Sequence, residues 1–361
     1  MGALILVACL LSFSTAWADF YADHIYVFLR DISSPAINIL PFPVGELLMY
    51  LGAILIVAAV IILLLLIFLR KKKSYVAFAT AYFKSLLIVI LSVLLIYSTQ
   101  WLTPYRSSVL GRPEAADHEY TLEEMRVLYI YVIESLNEAC LSVPRDAEGY
   151  VIYDTKNVTE QKVATAMNGI SDEFPRLRGY YPPFKEAWCS DVLEWMWIGG
   201  YTYPYTMEVT CNKYIGKFYF PTLYAHECSH HMGYYKEHEA NFLSYLACSS
   251  SEDPVLRYSA FYYIYSYVDE SYYEACVALG NEDLYWEDDE AHPILPQVRA
   301  DVRNSLLEAE EVYQSDEHVL EDFADEAAEI SDVGWETQAE ILQEYNYDGV
   351  VYLMLQYYFG N

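Results

Sequence analysis

Pro221-Thr222-Leu223-Tyr224-Ala225-His226-Glu227-Cys228-Ser229-His230-His231-Met232-Gly233 is the stretch that decides how this chain is read. Its composition predicts a helix that begins near Thr222 and is ended by Gly233. On such a helix His226 and His230 lie four apart and share a face, so both imidazoles can reach one metal ion. Glu227 follows the first histidine and sits beside that face, within reach of a water held by the ion. Zn²⁺ lowers the pKa of such a water toward about 7, and a carboxylate can take its proton as it attacks a carbonyl. With eight His and 51 acids in 361 residues, the spacing arises by chance roughly 0.02 times per chain. The motif is therefore informative by itself.

A catalytic zinc site needs a third protein ligand and one open position. A metzincin would carry a histidine three residues past Gly233, where Lys236 stands, so that class is excluded. The candidates are Glu237, His238 and Glu239. Glu237 and Asn241 form a Glu-x-x-x-Asn pair on one helix face, as in gluzincin-type peptidases, where the later residue orients a ligand histidine. Glu237 is the favoured ligand with Asn241 behind it, and Glu239 is the alternative. His231 and His238 read as surface or supporting residues, and Cys228 as a small packing residue. Lys185, Arg257 and Tyr258 are candidates for stabilising an oxyanion, although Arg257 also reads as a partner for the many acids. Upstream, residues 201–212 alternate aromatic and polar side chains, which predicts one strand carrying Glu208. That strand, with Glu208, either is ordinary structure or forms an edge that holds an extended peptide by backbone pairing.

The motif stands in an acidic body behind an apolar leader. Residues 1–101 carry four acids and six bases, whereas 102–361 carry 47 acids and 15 bases, a net charge of −32. Electrostatic binding of nucleic acid needs a cationic surface and is excluded. Residues 47–69 have no charge and suffice to cross about 30 Å of hydrocarbon as a helix. They run into Arg70-Lys71-Lys72-Lys73, the densest basic cluster of the chain. A second span is expected over 85–101 and another over 3–18, the latter read as uncleaved because it lacks a basic n-region. The basic cluster places residues 70–73 in the cytoplasm and the acidic body outside it. The loop 19–45 is expected to rest on the outer membrane surface.

Within the body, Thr121-Leu122-Glu123-Glu124 is a capping-box pattern that opens a helix to about residue 140. Further helices are expected over 159–174, 188–197, 237–248 and 253–280, and the acidic tail 282–348 also has helical spacing. The Tyr-rich run 258–273 reads as core. Six cysteines fall in the body, an even number that permits disulfides, with Cys189–Cys211 as the first pairing to test. The expected fold is mainly α with a small β element: N-terminal transmembrane helices (1–101), then a mostly helical extracytoplasmic domain (102–361).

The sequence also resembles a bacterial membrane family catalogued as domain of unknown function 3810. The resemblance is carried by Gly199-Gly200-Tyr201-Thr202-Tyr203-Pro204-Tyr205-Thr206-Met207-Glu208, Pro221-Thr222, His226-Glu227, His230 and Gly233. It continues through Glu237-His238-Glu239-Ala240-Asn241-Phe242, Arg257-Tyr258-Ser259 and Tyr347-Asp348-Gly349-Val350. It implies a zincin-like domain behind membrane spans and names no substrate. The resulting expectation is a zinc metallopeptidase of the bacterial cell membrane acting on a peptide or protein substrate outside the cell. Two readings stand beside it: a catalytically idle receptor or scaffold with structural zinc, and an amidase of cell-wall peptide.

Overall fold

The structure is a computed structural model that describes residues 2–108, 110, 120–316, 318, 324 and 349–360. The chain divides into two compact units, Met1–Ser108 with Thr202–Glu208, and Val109–Tyr201 with Val209–Asn361.

The first unit is helical. Helices α1 (Gly2–Ser12) and α2 (Thr15–Phe20) lead through a π-helical stretch, Tyr21–Tyr26, into α3 (Val27–Ile37). Helix α4 spans Val44–Leu69 and α5 Lys73–Tyr97, the latter continuing through a second π-helical stretch into α6 (Thr103–Tyr105). Two helices, Val44–Leu69 and Lys73–Tyr105, are long and apolar enough to cross a membrane. There are three if the pair Gly2–Ser12 and Thr15–Ile37, bent by 109°, is one span. This is consistent with a membrane protein. The span expected from Ser85 starts instead at Lys73, because between Lys73 and Ser85 only Lys84 is charged and nothing breaks the helix. The span expected over 3–18 breaks after Ser12, and the expected loop 19–45 is largely helical.

Glu208 acquires a role here that its strand pattern did not suggest. Its carboxylate accepts the backbone N–H of Val44 at 2.9 Å and of Gly45 at 2.7 Å. These are among the amides a helix start leaves without intrahelical partners. A Cβ on Gly45 would run into the Tyr203 ring, so glycine is required there.

The second unit contains the remaining helices and one small sheet. Helix α7 (Leu122–Ser142) opens on the expected capping box, with Thr121 and Glu124 each bonding the other's backbone. Helix α12 (Pro254–Ala278) lies along it, and Leu128, Val132 and Leu136 meet Ile264 and Val268 in one fully buried core. Each such side chain contributes about 1.5–3 kcal/mol by leaving water. Helices α8 (Lys156–Gly169), α9 (Ser190–Trp195), α10 (Phe220–His231), α11 (Glu237–Ser249), α13 (Glu282–Ala291), α14 (Pro296–Ser315) and α15 (Gly349–Phe359) complete the unit. The rest of the predicted helical tail (317, 319–323 and 325–348) lies outside the described residues.

The predicted single strand over 201–212 is two strands. β2 (Gly200–Tyr203) and β3 (Glu208–Cys211) flank a turn, and β1 (Phe184–Glu186) pairs in parallel with β3 through Phe184–Val209, Lys185–Thr210 and Glu186–Cys211. The order is β1-β3-β2. Two residues break the pleat: Pro204 has no amide hydrogen to donate, and Met207 takes a left-handed φ of 56°.

The disulfide expectation is also corrected. No disulfide joins any of the seven cysteines. Cys211 is buried in β3 with Lys156 Nζ 3.9 Å from its sulfur, and burial pushes its thiol up to about 12. It acts as a small core residue in place of half a Cys189–Cys211 pair.

Candidate metal site

Helix α10 presents its histidines from a buried face. Pro221 stands in its first turn, Tyr224 donates to the Pro182 carbonyl at 2.8 Å, and Thr222 meets Ser259 of α12 at 2.7 Å between hydroxyls. These contacts fix the helix on both flanks. Gly233 then ends it with a φ of 98°. Its N–H bonds the His230 carbonyl at 2.9 Å while the Tyr234 N–H bonds the Ser229 carbonyl at 3.0 Å. This is a Schellman turn, in which the left-handed residue satisfies carbonyls the helix leaves open. The turn has a chemical consequence. It brings the Tyr234 carbonyl within 2.9 Å of His230 Nδ1. A carbonyl only accepts, so Nδ1 carries the hydrogen, and in the neutral ring Nε2 is left as a bare lone pair.

That lone pair faces two other donor atoms. His230 Nε2 lies 3.1 Å from His226 Nε2 and 3.5 Å from Glu237 Oε1, and His226 Nε2 lies 3.2 Å from Glu237 Oε2. A tetrahedral zinc with bonds of about 2.0–2.1 Å separates its ligands by about 3.4 Å. The two imidazoles and one carboxylate therefore fit that ion without rearrangement. Among the described residues they form the one group of three or more acidic, His or Cys ligands that gathers in this way.

The electrostatics match the geometry. Burial opposes a charge on His230, yet the Glu237 carboxylate outweighs it and raises the imidazole to about 9. Burial likewise opposes a charge on Glu237, but the two imidazoles hold its carboxyl well below the usual range. The cluster favours a cation at its centre, whether proton or metal.

The other sequence candidates fall in different places. Glu227 is 4% exposed on the same helix. A Cβ at Gly200 would come within 3.2 Å of its Cγ and 2.9 Å of the Thr210 carbonyl, so β2 lies against the Glu227 side chain only because residue 200 is glycine. Glu239 faces away from the pair: its carboxylate accepts the Leu110 N–H at 2.7 Å and lies 3.7 Å from Lys236 Nζ. Asn241 touches neither histidine. Its Oδ1 accepts the Tyr263 hydroxyl at 2.8 Å and its Nδ2 donates to the Tyr267 hydroxyl at 3.4 Å. His226 Nδ1 is buried without a hydrogen-bond partner among the described residues. Tyr258 donates to Asp301 at 2.9 Å, deep in the core. Arg257 is half-buried and makes no ion pair among the described residues. Lys185 is buried in β1. Cys228 is fully buried, packed with Tyr224 and Cys248, and burial drives its thiol pKa far up. His238 lies under Gly349, whose Cβ would come within 3.0 Å of its ring, and burial lowers its imidazole to about 4.

Four contributors were invisible as site residues in the sequence. The Tyr234 carbonyl carries no side-chain signal, although Gly233 marks the turn that delivers it. Gly200 has no side chain to signal a place beside Glu227. Tyr263 and Tyr267 were submerged in a run of tyrosines whose spacing suits a core.

The sequence matches, over residues 21–330, the family described as "Protein of unknown function (DUF3810)". The chain belongs to that family. The matched span contains His226, Glu227, His230, Glu237 and Asn241, so the whole site falls within it. No curated protein and no solved structure matches the sequence.

Proposed function

We propose that the chain is a membrane-anchored zinc metallopeptidase that hydrolyses peptide or amide bonds, with its helical unit outside the cytoplasm. The observation that carries this reading is the convergence of His226, His230 and Glu237 to within 3.1–3.5 Å, with Glu227 on the same helix. When bound, zinc would acidify a water and polarise the carbonyl it attacks. Glu227 takes the proton that water loses as its oxygen bonds to the carbonyl carbon. It passes that proton to the nitrogen as the C–N bond breaks. The Tyr234 carbonyl keeps the hydrogen of His230 on Nδ1 and its lone pair aimed inward.

The idle structural alternative calls for a fourth protein ligand. The two side chains that could serve, Cys228 and His238, are packed against Tyr224 and Gly349 respectively. Three ligands with an adjacent base favour the enzyme. An amidase of cell-wall peptide would use the same water and the same base, so it stays inside the proposal as a substrate class. The outward orientation rests on Arg70, Lys71, Lys72 and Lys73 following α4, since such clusters stay in the cytoplasm.

The test is the full chain purified in detergent without chelator, beside Glu227→Gln. Both should hold about one zinc per chain, and only the wild type should cleave a mixed peptide digest. A wild type that takes up no zinc would sink the reading. A Glu227→Gln chain without zinc would show the base to be a ligand.

A further inference from the structure

The sequence offered Lys185, Arg257 and Tyr258 for the oxyanion, and the structure gives the last of these another partner. Tyr258 is committed to Asp301 at 2.9 Å. One helical turn further along α12 is a better-placed hydroxyl. Tyr263 donates to Asn241 Oδ1 at 2.8 Å, and Asn241 stands four residues after Glu237, on the same face of α11. The hydroxyl also lies in the electrostatic field of both Glu237 and Glu227, the ligand carboxylate and the base. Asn241 is also held by Tyr267, whose ring packs beside that of Tyr263: its Nδ2 donates to the Tyr267 hydroxyl at 3.4 Å while its Oδ1 accepts from Tyr263.

We propose that Tyr263 is the hydrogen-bond donor for the oxyanion that forms at the carbonyl under attack, and that Asn241 is the residue that positions it. This rests on the reading of the site as a hydrolytic zinc centre. When water adds to the carbonyl carbon, the C=O electron pair moves onto oxygen, which becomes a stronger acceptor than the Asn241 amide. The Tyr263 proton then turns from a neutral amide oxygen to an anionic one, and no proton is transferred. A neutral phenol suits this place. It adds a directed dipole where charge develops without adding a second cation to compete with the metal for Glu237. It also explains Asn241, which sits four residues from a ligand yet touches no histidine: it holds the donor ready.

The test uses the zinc-loaded full chain and a panel of phosphinic dipeptides, whose tetrahedral phosphinyl oxygens carry the charge of the adduct. Tyr263→Phe should keep its zinc and bind the best phosphinic dipeptide about 10–100-fold more weakly, in the range of a lost hydrogen bond to a charged group. Asn241→Ala should weaken the same probe about 3–10-fold, as expected when the donor survives but is no longer held. Tyr262→Phe, next door but packed on Phe218 and Tyr219, should change nothing. A Tyr263→Phe chain that binds the probe like the wild type overturns the assignment. So does one that loses its zinc, and so does a zinc-loaded wild type that ignores the whole panel. A wild type that holds no zinc overturns the metal reading beneath it instead.

Discussion

Two clusters of charge in the helical unit are built on opposite plans. Around Asp301, Arg145 donates at 2.9 and 2.7 Å, Gln297 at 3.0 Å and Tyr258 at 2.9 Å. One carboxylate meets one guanidinium, and neutral donors fill the remaining lone pairs. Around Glu237 there is no Lys or Arg partner among the described residues: two imidazoles and a carboxylate face one another at 3.1–3.5 Å. The first cluster is complete without any outside group. The second gathers a carboxylate and two imidazole Nε2 atoms at one point, an arrangement that favours a cation there, whether proton or metal. Asp301, His226 and His230 are buried, while the Glu237 side chain is 45% exposed; what separates the two clusters is the guanidinium, present in one and lacking in the other among the described residues.

The largest effects should come from removing a member of each cluster. His226→Ala, His230→Ala or Glu237→Ala should lower zinc affinity by orders of magnitude and, at a pH high enough for His230 to have lost its proton, leave thermal unfolding of the metal-free chain close to wild type. Asp301→Ala should do the reverse. It leaves Arg145 largely buried without a counter-charge, at a cost of about 3–5 kcal/mol, with zinc content unchanged. Glu239→Ala belongs with the second kind, because its carboxylate serves Leu110 and Lys236. Metal analysis and a thermal melt on each variant decide the matter. If Asp301→Ala empties the site in a still-folded chain, the two clusters are not independent and the comparison fails.

Acidity should separate the clusters next. The Asp301 carboxyl is disfavoured by burial, but Arg145 and its other donors hold it below the usual range. Its stabilisation is therefore present above the unfolded carboxylate value of about 4 and is lost only as pH falls through the lower folded value. His230 has the opposite sign, with a folded value of about 9 against 6.5. In the metal-free chain its contribution is complete below about 6.5 and is lost as pH rises through about 9. Melting temperature measured across that window should fall for the metal-free wild type and stay flatter for His230→Ala. A metal-free chain that is equally stable at both ends would show that Glu237 does not hold a proton on His230.

Much of this was legible in the sequence, for physical reasons that can be named. Helix α10 announced itself because Pro221 and Gly233 bracket it, and the i, i+4 histidines need only the helical period to meet. The Thr121 capping box and the apolar run of α4 are equally local signals. What was missed depended on the chain meeting itself at long range. Nothing within 201–212 tells that Glu208 caps α4, because its partners are residues 44 and 45. Asn241 was placed on the right face, but its partners lie on another helix, and no rule of spacing along α11 could choose Tyr263 over His226. An even count of cysteines suggested pairing, whereas burial and neighbouring side chains account for their presence as thiols.

The finest test compares two glycines in the same turn. Gly280 ends α12 as Gly233 ends α10, with φ of 70° and 98°. At both ends the same pair of bonds closes the helix: Gly280 to Val277 at 3.0 Å and Asn281 to Cys276 at 2.8 Å mirror Gly233 to His230 and Tyr234 to Ser229. Alanine in either place meets the left-handed penalty of about 1–2 kcal/mol. Nothing lies within 4 Å of a Cβ at Gly280, so strain is the whole effect there. Both variants should therefore lower the melting temperature by a few degrees. Only at Gly233 does the turn also deliver a carbonyl to a candidate metal ligand. Shifting the Tyr234 carbonyl frees His230 to rotate and to place its hydrogen on either nitrogen. Loss of such an outer partner typically weakens a metal site by 10–100-fold, and a partial shift should give about the lower figure. Gly233→Ala should accordingly bind zinc about tenfold more weakly than Gly280→Ala at equal stability. Equal zinc affinity in the two would mean that the backbone turn closes a helix and does nothing for the site.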